Sequence, residues 1–194
     1  MPFKTEILVG LSLLLLLFGL IRVVRRLQGV KDMKKFSLFT FEAPIAAGVR
    51  NYSIVNTILE ISFMIALMVL SIEMSKLHPE YTLPMIASTA FLALESILFL
   101  VRILRGGREF RIGINKNVVA YFDREMHLYY YTGLQRVELH QSDLINFKYK
   151  EDLNIFLPIS VIRKEDRKVF KEELIKVLSE KNVYIDDAFR AWAE

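Results

Sequence analysis

Long apolar runs separated by basic segments fill the first half of the chain, and short alternating runs fill much of the second. Residues 7–24, ILVGLSLLLLLFGLIRVV, are almost unbroken hydrocarbon, about the minimum length for one membrane-spanning helix. Residues 54–74 and 84–104 are two further runs of span length. The last of them runs into Arg102, Arg105, Arg108 and Arg111 around a Gly106-Gly107 break, as expected of a span that reaches the cytoplasmic surface.

Beyond the glycines the period changes from that of a helix to that of a strand. Ile145, Phe147 and Tyr149 share one face, opposite Asn146, Lys148 and Lys150; Ile155, Leu157, Ile159 and Val161 share another. Strands are predicted near 108–114, 118–123, 126–132, 134–140, 144–150 and 153–163. Turn signals separate them at Asn115-Lys116-Asn117, Asp123-Arg124-Glu125, Thr132-Gly133 and Glu151-Asp152. Gaps of hairpin length imply an antiparallel meander. Residues 167–181 then form an amphipathic helix with Asp166 as its N-cap. Phe170, Leu174, Val177 and Leu178 line its apolar side, and Lys168, Lys171, Glu172, Lys176 and Glu180 its polar side.

The expected fold is therefore an α+β membrane protein. A three-helix transmembrane region occupies 1–104, an antiparallel β domain with a C-terminal helix occupies 105–181, and an amphipathic tail follows at 182–194. The connection at 31–53, with Phe36, Phe39, Phe41 and Pro44, has two readings. It either lies at the headgroup boundary or is a loop whose aromatics pack on the β domain.

Charge orients this arrangement. The chain has 194 residues, a net charge of +4 and a mean hydropathy of +0.31. Residues 105–194 carry 16 Lys+Arg against 15 Asp+Glu, whereas residues 1–104 carry 10 against 7. The excess thus flanks the spans, which argues against a nucleic-acid partner. Arg22 near the end of the first run and Arg25, Arg26, Lys31, Lys34 and Lys35 after it, with no cleavage site, mark a retained anchor whose N-terminus lies outside. The short loop at 75–82 lacks cations in excess, and the arginines after the third run put the β domain in the cytoplasm. Cysteine is absent, which removes disulfides and thiolate chemistry.

The polar residues inside the spans are the candidate functional positions. Glu95 lies mid-span, where an acid is costly and needs protein, water or a partner. Only 12 residues separate Glu60 from Glu73, about 18 Å of helix against about 30 Å of hydrocarbon, so Glu60 is drawn in as well. Ser88, Glu95 and Arg102 recur every seven residues along nearly one stripe. The two acids are expected at comparable depth on facing helices, where low dielectric favours a shared proton. They are read as hydrogen-bonded to Asn56, Thr57, Ser88 or Ser96, or as docking a cation on another subunit; the rival reading is a proton or cation path. Ser12, Ser62, Ala66, Thr89 and Ala93 provide small surfaces for close helix approach or self-association. Phe189 and Trp192 on the tail form a candidate partner surface. His78, His127 and His140 have no metal-ligand spacing, although His127 and His140 fall on adjacent predicted strands. No catalytic, cofactor or metal constellation is expected.

The stretch VELHQSDLINFKYKEDLNIFLPISVIRKEDRKVFKEELIKVL resembles the pleckstrin-homology-like domains of bacterial membrane proteins. Its pattern is a strand, a polar SDL turn, two more strands and a closing helix. The resemblance covers about residues 108–181 and implies a small barrel after membrane spans, at the inner membrane of a bacterium. That fold has seven strands against six counted, the first being missed or supplied by residues 31–53. Arg111 and Lys116 stand apart, so the basic phosphoinositide signature is not carried over. The expected function is a non-catalytic subunit or scaffold of a larger membrane complex, with other membrane subunits and the bilayer as partners. A small transport subunit using Glu60 and Glu95, or a membrane-surface lipid-recognition module, is the alternative.

Overall fold

The computed structural model describes residues 3–35, 39–75 and 79–192; Phe36, His78 and the last two residues of the tail expected at 182–194 lie outside them. The protein is α+β. Its elements run α1 (Phe3–Lys35), β1 (Phe41–Pro44), α2 (Ala47–Ser75), α3 (Pro79–Leu104), β2 (Arg111–Ile114), β3 (Val118–Phe122), β4 (Met126–Tyr130), β5 (Leu134–His140), β6 (Leu144–Tyr149), β7 (Asn154–Pro158), α4 (Arg167–Glu180), β8 (Tyr184–Ile185) and α5 (Asp187–Ala191). They divide into a helical unit, residues 1–27 and 52–107, and a β unit, residues 28–51 and 108–194. The segment at 28–51 therefore belongs with the sheets rather than with the helices.

In the helical unit, among the described residues, two helices are long and apolar enough to cross a membrane: α2, and α3 from Thr82. Their apolar side chains point outward. Only 11% of the most apolar stretch of α2 is buried, whereas a soluble core helix of that composition would be enclosed on most sides. On α1, Leu13, Leu14, Leu17 and Phe18 are similarly exposed. The third helix ends where Gly106 adopts a positive φ of 65°. The Gly106 N–H then donates to Ile103 O (3.0 Å) and the Gly107 N–H to Arg102 O (3.3 Å), satisfying carbonyls that a helix end leaves open.

The β unit contains two four-stranded sheets, in the orders β1-β2-β3-β4 and β7-β6-β5-β8. All pairings are antiparallel except β5 with β8. The six expected strands form, and the connection at 31–53 supplies β1 in addition. Of the two readings of that connection, packing on the β unit is the one observed. Phe41 is buried edge-on against Phe170 of α4 at 5.7 Å, and Phe39 fills the space over Gly113. Arg111 pairs with Glu42 across the β1-β2 register and donates to Met33 O of α1 (2.6 Å).

The apolar stripe of α4 is buried as its period demands, but Lys171 is not on a solvated face. It is buried, and its ammonium donates to Arg190 O at 2.9 Å. Asp166 stands before α4 without accepting a capping bond from it; its carboxylate is taken by Arg163 Nε at 2.7 Å. The strand expected over 153–163 ends at Pro158, and a short 3-10 turn at Ile159–Val161 keeps Ile159 and Val161 buried by bending instead.

The tyrosine run alternates as a strand should: Tyr129 and Tyr131 are buried and Tyr130 is exposed. The Tyr129 hydroxyl donates to Phe156 O of β7 at 3.0 Å, linking the two sheets by a side chain where no strand pairing does. His127 and His140 do not meet, because β4 and β5 belong to different sheets. His127 stacks on Tyr121 at 4.3 Å and contacts Asp123 at 3.3 Å, while His140 leans on Phe156. Burial works to raise the Asp123 carboxyl, but the His127 contact and the backbone N–H groups of Arg124 and Glu125 outweigh it and hold it below its ordinary value. Burial pushes the phenols of Tyr129 and Tyr149 up to about 12 and raises those of Tyr121 and Tyr131 as well.

Candidate functional site

The polar residues of the helical unit converge on one cluster. Along α1, positions 12, 19, 22 and 26 face α3, which presents 85, 88, 92, 95 and 99, a three-four spacing that keeps one stripe toward a neighbouring helix. At one end the Ser88 hydroxyl donates to Ser12 O (3.3 Å) and to Pro84 O (2.8 Å), and the Ser12 hydroxyl meets Met85 Sδ at 3.5 Å. Further along, Gly19 lies so close to Leu92 that a Cβ there would fall 2.2 Å from Leu92 Cδ2. At the other end are the charges. This order of contacts makes α1 and α3 parallel.

Arg22 and Arg26 are one helical turn apart and so project from one face of α1. Arg22 reaches Glu60 of α2 at 3.2 Å, Glu95 of α3 at 2.8 Å and the Ser96 hydroxyl at 3.0 Å. Arg26 contacts Glu95 at 2.7 Å and 2.9 Å and Glu60 at 3.4 Å. Each acid thus meets both arginines, and the four formal charges cancel. The Arg26 guanidinium also stands 4.0 Å over the Phe99 ring; its side chain is 6% exposed and that of Glu95 13%. Stacking on one face and ion pairing in the plane suit a guanidinium in particular, since it is flat and donates through its edge.

Glu60 and Glu95 therefore approach one cluster from two helices, and two guanidinium groups bridge them. They do not face one another alone, since each contacts both arginines. The arginines were the missing members. Arg22 lies inside the run 7–24, and a cation within an apolar run demands a counter-charge as much as an acid does, so the signal was present. Of the stripe 88, 95 and 102, Ser88 and Glu95 turn toward α1, whereas Arg102 lines the mouth of a groove between α1 and α3. Thr57, named as a neighbour for the acids, donates to Ser53 O within its own helix (2.7 Å); Ser96 does join the cluster.

The aromatic pair on the tail splits. Phe189 is 0% exposed and belongs to the β-unit core, while Trp192 is half-buried and stacked on it at 5.7 Å. Phe189 is thus not a free partner surface, because α5 turns its apolar side inward. Among the described residues, no three His, Cys, Asp or Glu side chains gather as metal ligands. No protein family, no curated protein and no solved structure matches this chain.

Proposed function

We propose that the chain is a non-catalytic integral membrane subunit with three spans, α1 joining α2 and α3, and a cytoplasmic pleckstrin-homology-like β unit that carries partner contacts. The observation that carries this reading is the closed cluster of Arg22, Arg26, Glu60 and Glu95, which ties α1 to both span-length helices. Charges sunk among apolar helices persist when they neutralise one another. Outward apolar side chains on all three helices suit lipid contact, and the basic residues after α1 and α3 favour an outside N-terminus. Support for the pleckstrin-homology-like reading is the succession of strands β2–β7 in two sheets, joined by β1 from before α2 and followed by α4.

Because the acids are satisfied within the chain, docking falls to the outer helix faces and the β unit rather than to Glu60 and Glu95. A bacterial inner membrane remains the expected location, from the resemblance. The absence of native cysteine makes the topology test direct: single cysteines at position 4 and at position 190 are labelled with a membrane-impermeant maleimide in intact cells. The reading expects labelling at 4 only; labelling at 190 from outside overturns it. Purification in mild detergent with intact-complex mass analysis then tests the subunit role. A defined set of co-purifying membrane proteins supports it, and a homogeneous self-oligomer that conducts protons overturns it.

A further inference from the structure

The helical unit holds a cavity of about 580 Å³ between α1 and α3, within the range of about 300–1,000 Å³ found for pockets that take organic ligands. Val23 and Leu27 form one wall and Leu94 and Leu98 the other; Arg102 and Arg105 stand at one end. The Arg26–Glu95 pair lies in the floor, and its charges cancel. The walls are apolar, and Leu27, Leu94 and Leu98 are exposed along their length, so the groove opens sideways rather than into a channel.

Its two ends differ in chemistry. Arg102 lies seven residues beyond Glu95, about 10 Å along the helix, and Arg105 about 15 Å. With Glu95 near the middle of α3, those guanidinium groups stand near the edge of a hydrocarbon layer about 30 Å thick, at the depth of lipid phosphates. An apolar trough that ends in two cations at headgroup depth is complementary to an acyl chain joined to an anion. Basic pockets between spans on the cytoplasmic side bind anionic headgroups by the same logic.

We propose that this groove is a binding site for a single anionic phospholipid, with an acyl chain along Val23, Leu27, Leu94 and Leu98 and its phosphate on Arg102 and Arg105. The site is distinct from any lipid contact of the β unit. It rests on the reading of α3 as a span.

The test uses the full chain, reconstituted in nanodiscs of phosphatidylcholine with a minor share of phosphatidylglycerol, extracted in mild detergent and weighed intact. Phosphatidylglycerol is expected to be retained about 25-fold over phosphatidylcholine, as two arginines each contributing about fivefold would give. Arg102→Gln/Arg105→Gln should abolish the preference, and Arg105→Gln alone should reduce it about fivefold. Leu98→Trp, which fills the trough and leaves both arginines, should displace the lipid outright. Equal retention of the two lipids, an unchanged preference in the variants whose melting matches the parent chain, or photocrosslinking of a second protein helix at position 94 would each overturn the proposal. Alkaline carbonate extraction separates the two claims: a chain that leaves the membrane sinks the span reading itself, whereas an integral chain without lipid preference sinks only the groove.

Discussion

Arg26 holds Glu95 through both carboxylate oxygens, at 2.7 Å and 2.9 Å, while its guanidinium stands 4.0 Å over Phe99. Removing one partner of such a buried pair strands the other's charge, which costs about 3–5 kcal/mol. Glu95→Gln should therefore lower stability in detergent by about 3 kcal/mol. The combination Arg26→Met/Glu95→Leu, which removes the pair together, should recover much of that loss. A double-mutant cycle in graded denaturing detergent measures it, and simple additivity of the single changes would show that the two side chains do not act as a pair.

The close passage of α1 over β3 gives a second expectation. A Cβ on Gly29 would fall 2.6 Å from Phe122 Cε2 and 3.3 Å from Met126 Cβ, and Phe122 is fully buried. Gly29→Ala should thus destabilise by about 1–3 kcal/mol, in the range of overpacked cores, and Phe122→Leu should relieve part of it. Thermal unfolding of the three variants decides the matter; a neutral Gly29→Ala would mean that this contact yields freely.

Phe189 and Trp192 should separate in their effects. Phe189→Ala opens a cavity in the β-unit core and should cost about 3–5 kcal/mol, read as a fall in melting temperature. Trp192→Ala should cost less, since that side chain is only half-buried. If Phe189→Ala leaves melting unchanged but releases a partner, the tail is an interface after all.

Alkaline pH should weaken the β unit. The phenols of Tyr129 and Tyr149 titrate at about 12 in the folded chain against about 10 unfolded. Below pH 10 both states are neutral and nothing is lost. Above it the unfolded chain gives up its protons first, so stability falls as pH rises from about 10 to about 12. Spectrophotometric titration should show these phenolates forming late, together with loss of the folded signal. Tyr129→Phe should flatten part of the slope and, by freeing Phe156 O, cost about 1 kcal/mol near neutrality. An unchanged slope would assign the alkaline loss to other groups.

The apolar runs, the strand alternation and the acids inside the apolar runs were legible from one-dimensional pattern alone. Period and length report local geometry: 3.6 residues bring Arg22 over Arg26, and two bring Ile145 in line with Phe147. Pairing between distant segments is not written in any period. That Arg22 and Arg26 close on Glu60 and Glu95, that Phe41–Pro44 leaves the helical half to become the edge of a sheet, and that Phe189 and Lys171 turn inward all required the chain in three dimensions. A charge beside an apolar run looks the same in sequence whether it faces headgroups or a carboxylate on another helix, and the energy that decides between them belongs to the contact.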